Sequence, residues 1–211
     1  VAGYPARNYT GAKVSFLPLD LSNKFSFLES KPKTVGLEGF LFPDTYRVFR
    51  DANARDIIEK MVANFERKVA LLYQNEIALQ KKSLFDVITV ASLIEEEVKS
   101  DEDRALISGI LWKRLEAGIP LQVDATLVYI RGHNTTPLSA ADKSANSHFN
   151  TYKYRGLPKG PISNPGLASI RAALYPKASP YLYYLSANND GRTVFSQTLE
   201  EHNAAKQKYL R

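Results

Sequence analysis

Three consecutive carboxylates, Glu95, Glu96 and Glu97, close the stretch SLFDVITVASLIEEEV from Ser83 to Val98. Ser83 followed three residues later by Asp86 is an N-terminal capping pattern, and the stretch reads as a helix. At about 100° per residue, Val87, Ile88, Val90, Ala91, Ile94 and Val98 fall in one broad apolar arc. Glu95 lies inside that arc, one and two turns after Ala91 and Ile88, whereas Glu96 points away and Glu97 sits at its far edge. A carboxyl on an apolar face must be paired, hydrogen-bonded or protonated. A carboxyl that keeps its proton near neutral pH is what general-acid chemistry needs. The helix alone leaves two readings open: a catalytic carboxyl at Glu95, or a scaffold helix whose last turn is solvated by glutamates.

Other polar groups are spaced for binding. If IPLQVDATLVYI, from Ile119 to Ile130, is extended, Gln122 and Asp124 share one face opposite Leu121 and Val123. Thr126 to Tyr129 fits either a continuing strand or the start of a short helix. The segment NTYKYRGLPKGPISNPG, from Asn150 to Gly166, is punctuated by Pro and Gly, so its backbone is irregular and fixed. Such a loop either builds a binding site or merely connects elements. The three histidines, His133, His148 and His202, lack metal-ligand spacing, and no metal is expected. Glycine-rich phosphate loops, dinucleotide fingerprints and nucleophile elbows are absent, so no cofactor is expected either.

The elements that must position these groups follow from caps and periodicity. Val14–Leu19 and Phe40–Phe42 read as short strands, with Tyr46–Phe49 resuming after the Pro43-Asp44 break. Asn53 to Lys82 reads as scaffold helix, capped by Asn53 with Asp56 three residues on. Ser100 opens a further helix that Gly118 stops, with Trp112 packed inside it. Residues 131–148 read as polar loop. Leu167–Leu174 reads as a short helix, and Tyr181–Ser186 with Arg192–Ser196 flank an Asn188–Gly191 turn, a hairpin signal. Thr198 with Glu201 caps a terminal helix.

The 211 residues, 44% hydrophobic and 11% aromatic, suffice for one compact domain with a real core. The chain has no cysteine, which fits an extracytoplasmic bacterial protein without demanding one. No apolar run spans a bilayer, and the sequence opens on Val1 rather than Met, so a targeting segment is expected to have been cut away. The net charge is 28 − 22 = +6, but the basic residues are dispersed and no nucleic-acid module appears. Nucleic acid is not an expected partner.

Four blocks stand together: LEGFLFPDTY, ASLIEEEV, LQVDATLVY, and NTYKYRGLPKGPISNPG with the later PYLYYLS. Their order and spacing resemble the YceG-like family of bacterial endolytic murein (peptidoglycan) transglycosylases, over about Val35 to Leu210. The chain departs from the family pattern at Ala125, where Pro is usual, and at Phe149, where Tyr is usual. The resemblance implies an α+β fold of antiparallel strands packed with helices. It implies a catalytic domain over 36–211, and an irregular segment over 1–35 where a remnant of a LysM-like subdomain would lie.

It further implies cleavage of the β-1,4 bond between N-acetylmuramic acid (MurNAc) and N-acetylglucosamine (GlcNAc), leaving a 1,6-anhydroMurNAc end. Glu95 is the acid/base on this reading, with a pKa raised toward ~6 from ~4.3 by its apolar neighbours. Glu97 is the rival carboxylate, orienting substrate or carrying a salt bridge. Gln122, Asp124 and Thr126 would bind sugar groups, Asn150, Tyr152 and Asn164 would line the same cleft, and Tyr152 would stack on a pyranose. Glu38 and Tyr46 would brace the site from behind. Peptidoglycan glycan strands are the implied partner, together with peptidoglycan synthases at the extracytoplasmic membrane face, where an N-terminal anchor would hold the protein. A hydrolase using Glu95 as acid and Asp124 as base, a non-catalytic peptidoglycan-binding module, and a nucleic-acid binder are the rival readings.

Overall fold

A computed structural model describes residues 20–98, 100–132, 136–188 and 191–210. The expected strand at Val14–Leu19 therefore lies outside the described residues. The architecture is α+β: helices around one buried helix, with a two-stranded antiparallel hairpin on one side. A 3₁₀ turn at Ser26–Ser30 leads through irregular chain to α1 (Ala54–Phe65), α2 (Gln74–Leu79), α3 (Leu84–Glu97), α4 (Asp101–Glu116), α5 (Asp124–Arg131), α6 (Ala140–Ser144) and α7 (Leu167–Leu174). The strands β1 (Tyr183–Ser186) and β2 (Thr193–Ser196) and the last helix α8 (Leu199–Tyr209) follow. Among the described residues, no helix is long and apolar enough to cross a membrane.

The fold is organised on α3. Every residue from Val87 to Ile94 is buried, so this helix is enclosed on all sides rather than amphipathic with one inner face. It packs against α7, α4, α5 and the 3₁₀ turn. The two polar residues of that buried stretch are satisfied within the helix: Thr89 Oγ1 donates to Phe85 O (2.8 Å) and Ser92 Oγ to Thr89 O (2.7 Å). Ser92 also ties down the proline-rich loop, accepting from Ile162 N at 3.0 Å while its carbonyl accepts from Ser163 Oγ at 3.1 Å. Leu21, Phe25 and Leu28 join the same core, so the described part of the first 35 residues packs with the rest.

Where local chemistry decides, elements form where expected. Asn53, Ser83, Ser100 and Thr198 all cap helices through their side chains, and β1 pairs with β2 from Tyr183↔Ser196 to Ser186↔Thr193. The scaffold helix expected from Asn53 to Lys82 is interrupted: a π-turn at Glu66–Ala70 separates α1 from α2. Phe40–Phe42 and Tyr46–Phe49 form no strand: among the described residues the ladder is β1–β2 alone, and the Leu41 N–H goes to the Asn164 side chain rather than to a neighbouring strand. Phe40 instead stacks edge-on against Phe65, ring centroids 5.2 Å apart. The 119–130 segment is not extended either: it turns at Gln122 and becomes α5, which Gly132 ends at φ 83°. The polar stretch 131–148 contains α6, opened by a Ser139–Asp142 capping box.

Candidate active site

A cleft of about 880 Å³ opens where the C-terminal end of α3 meets the N-terminus of α5, the last turn of α4, and β1. Glu97, the final residue of α3, lines it together with Asp124, Gln122, Arg114, Tyr152 and Tyr184. Burial pushes the Glu97 carboxyl up to about 7, and the Asp124 carboxylate and Glu96 push the same way. The Tyr184 hydroxyl and the backbone N–H of Ala125, at the start of α5, donate to it and hold the shift back. Glu97 is therefore a carboxyl half protonated near neutral pH, already hydrogen-bonded by two fixed donors and open to a cleft. Burial and the neighbouring Glu97 push the Tyr184 hydroxyl well above its ordinary pKa, so it acts here as a donor.

Asp124 begins α5 and accepts a hydrogen bond from the Tyr152 hydroxyl. The burial of Tyr152, together with that bond, keeps the phenol protonated, its pKa pushed above the ordinary phenol range. The cleft wall continues with Tyr129, whose hydroxyl donates to Glu38 at 2.6 Å. Among the described residues, no group of three His, Asp or Glu side chains is arranged to hold a metal ion.

Residues 10–208 match the YceG-like family. The chain belongs to that family. It is 42% identical over 175 residues to a protein named endolytic murein transglycosylase from Bacillus subtilis (strain 168), covering 82% of this chain and 48% of that one. A protein of the same name from Streptococcus pneumoniae (strain ATCC BAA-255 / R6) is 32% identical over 187 residues, covering 84% of this chain and 34% of that one. The crystal structure of a yceG-like protein from Listeria monocytogenes superposes with a TM-score of 0.77 at 39% identity, covering 86% of this chain and 62% of that one. This YceG-like chain thus spans about half the length of its Bacillus relative and a third of its Streptococcus relative.

Among the residues singled out by sequence, Glu97, Gln122, Asp124 and Tyr152 meet in the cleft, and Glu38 supports its wall through Tyr129. Glu95 does not line it. Its Oε2 accepts from Ser169 Oγ (2.6 Å) and Gly166 N (3.2 Å), capping the N-terminus of α7. Residues two apart on a helix face opposite ways, and the cleft lies on the Glu97 side. Thr126 is fully buried, its hydroxyl donating to Val123 O at 2.7 Å and meeting Thr151 Oγ1 at 3.0 Å, so it fixes the α5 turn rather than meeting ligand.

Asn150 is also buried, and both ends of its amide are spent on the backbone of residues 143, 145, 152 and 153. Asn164 Oδ1 accepts from Gly39 N (2.8 Å) and Leu41 N (3.1 Å), stitching the LEGF segment to the proline-rich loop. Tyr46 accepts from Asn64 Nδ2 at 3.0 Å and donates to Phe42 O, away from the cleft. The Lys143 ammonium lies 5.2 Å over the Tyr152 ring, competing with a sugar for one face of that ring. Sequence reasoning missed Arg114 and Tyr184. The first looks like an ordinary basic residue ending a helix, and the second is one tyrosine of a Tyr-rich strand.

Proposed function

We propose that this chain carries the catalytic part of an endolytic lytic transglycosylase that cleaves the MurNAc-β-1,4-GlcNAc bond of peptidoglycan glycan strands and leaves a 1,6-anhydroMurNAc end. The observation that carries the mechanism is the Glu97 carboxyl, raised to about 7 and facing the cleft. On this reading the acid/base moves from Glu95, whose carboxylate caps α7, to Glu97.

Protonated Glu97 gives its proton to the departing glycosidic oxygen as the C1–O bond breaks. The substrate's 2-acetamido group shields the anomeric carbon, so no carboxylate nucleophile is needed. The Glu97 carboxylate then takes the proton of the muramoyl C6 hydroxyl as that oxygen closes on C1. Glu97 recovers its proton, and no water enters. The Tyr184 hydroxyl and the Ala125 N–H stabilise the transient carboxylate. The Asp124 carboxylate, fixed by Tyr152, keeps Glu97 basic enough for the second step.

Asp124 in the same cleft also supports a second reading, a hydrolase in which it activates water. Mass spectrometry of glycan strands digested by the parent, Glu97→Gln and Glu95→Gln separates them. Anhydro ends from the parent and Glu95→Gln, with at least about 100-fold less from Glu97→Gln, support the proposal. Reducing ends give the hydrolase, and loss with Glu95→Gln alone returns the role to Glu95.

The names of the relatives support action on the cell wall, hence on the extracytoplasmic side. The family resemblance supports an N-terminal membrane anchor in the full-length protein and peptidoglycan synthases as neighbours.

A further inference from the structure

Arg114 stands out as a cation buried without an anion. Only 5% of its surface is exposed, and among the described residues no carboxylate pairs with it. Among the described residues its single hydrogen bond runs from Nη2 to Gln122 Oε1 at 2.9 Å, and the buried Nε has no partner there. A guanidinium carries five donors in a planar fork, and taking one out of water without a counter-charge costs several kcal/mol. Yet Arg114 is held firmly. Its guanidinium lies 5.4 Å from the centroid of the Tyr183 ring, whose other neighbour is the His202 ring at 5.2 Å. Gln122 reaches it from a left-handed backbone, φ 54°, unusual for a residue other than glycine, with its N–H fixed to Thr151 O at 3.0 Å. Arg114 lines the cleft that holds Glu97, and Tyr184, the donor to Glu97, lies within its electrostatic reach. A preorganised, desolvated fork in a cleft wall fits a planar carboxylate.

We propose that Arg114 is the carboxylate-binding residue of this cleft and takes the carboxylate of a muramoyl unit beside the scissile bond. The inference rests on the glycan-cleaving reading and adds the feature of the substrate that is recognised. MurNAc differs from GlcNAc by its lactyl ether, which carries a free carboxylate where no peptide is attached. Where a peptide is attached, that carboxylate is consumed as an amide and the nearest carboxylates belong to the peptide stem. A site that needs the acid selects muramoyl units and reads whether they are substituted.

The test compares the parent chain on peptide-free strands, on the same strands with lactyl carboxylates converted to methyl amides, and on peptide-bearing strands with stem carboxylates free or amidated. Affinity is read by titration and KM by product release. Losing the carboxylate is expected to raise Kd and KM about tenfold or more with kcat little changed, because the contact lies away from the bond that breaks. Arg114→Gln is expected to abolish the preference and Arg114→Lys, which keeps the charge but not the fork, to restore part of it.

A preference that follows the lactyl group assigns Arg114 to it, and one that follows the stem carboxylates assigns it to the peptide. Equal binding and cleavage of all forms by the parent overturns the carboxylate site and leaves the glycan-cleaving reading standing. Absence of both binding and cleavage overturns both. The parent comparison needs no variant, so a poorly folded Arg114→Gln does not weaken the test.

Discussion

Replacing Glu97 by Gln removes one titration while keeping size and an acceptor for Tyr184 and Ala125. The Glu97 carboxyl titrates at about 7 in the folded chain against an ordinary 4.5. The folded state therefore holds a proton that the unfolded state has lost between about pH 4.5 and 7, and parental stability falls as pH rises through that window. The full shift, 7 − 4.5 = 2.5, corresponds to about 3 kcal/mol of stability, fully present at pH 4 and lost by pH 8. Tyr184 and Tyr152, whose pKa values Glu97 helps to raise, titrate above this window, so the difference between parent and Glu97→Gln reads the Glu97 titration. The variant is expected to gain on the parent by about 2–3 kcal/mol between pH 4.5 and 8, or about 5–10 °C in Tm for a chain of this size. The assay is urea unfolding followed by circular dichroism at half-unit pH steps, with glycan cleavage measured on the same samples. Parental cleavage should decline above about pH 7 as the acid loses its proton, and Glu97→Gln should be inactive throughout. A stability difference that stays constant from pH 4.5 to 8 would refute the burial argument, and full activity in Glu97→Gln would refute the role.

Glu95→Gln removes the charge at the α7 N-terminus and weakens the bonds to Ser169 and Gly166, so it is expected to cost about 1–2 kcal/mol in urea unfolding while kcat stays within a few-fold of the parent. Gly39→Ala is expected to cost about 2–4 kcal/mol in the same assay. A Cβ there would sit 2.5 Å from Pro161 Cγ and 2.9 Å from Ile88 Cγ2, on a backbone at φ 93°. His202 is buried against Tyr183, and burial together with Lys206 and Arg114 pulls its pKa down to about 4 from 6.5. Its contribution is therefore present above about pH 6.5 and lost as pH falls toward 4. His202→Phe, which keeps the stack, is expected to lose about 1–2 kcal/mol less than the parent between pH 7.5 and 4.5, read by urea unfolding at the two pH values.

Features that adjacent residues decide were legible before folding. Asn53, Ser83, Ser100 and Thr198 cap their helices because a short side-chain oxygen reaches an N–H three residues on, and no distant group is needed. The β1–β2 hairpin forms because both partners lie within one short stretch. The combined blocks marked the family and four of the cleft residues.

Other features depend on partners distant in the chain. Phe40–Phe42 has strand composition but no strand beside it, and residues 119–130 were redirected by the Gln122 turn and the Thr151 contacts. An apolar arc selects an inner face only on a helix with an outer one, and α3 is enclosed all round. Glu95 and Glu97 were separated by what packs on each side: the N-terminus of α7 satisfies one, whereas α5, Asp124 and Tyr184 surround the other and raise it. Arg114 likewise looks in sequence like a helix-ending cation, and only the packing of β1 and Gln122 around it leaves it buried with no anion among the described residues. A side chain's desolvation and charge environment are sums over residues distant in sequence, so chemistry at this cleft becomes visible only once the chain has folded.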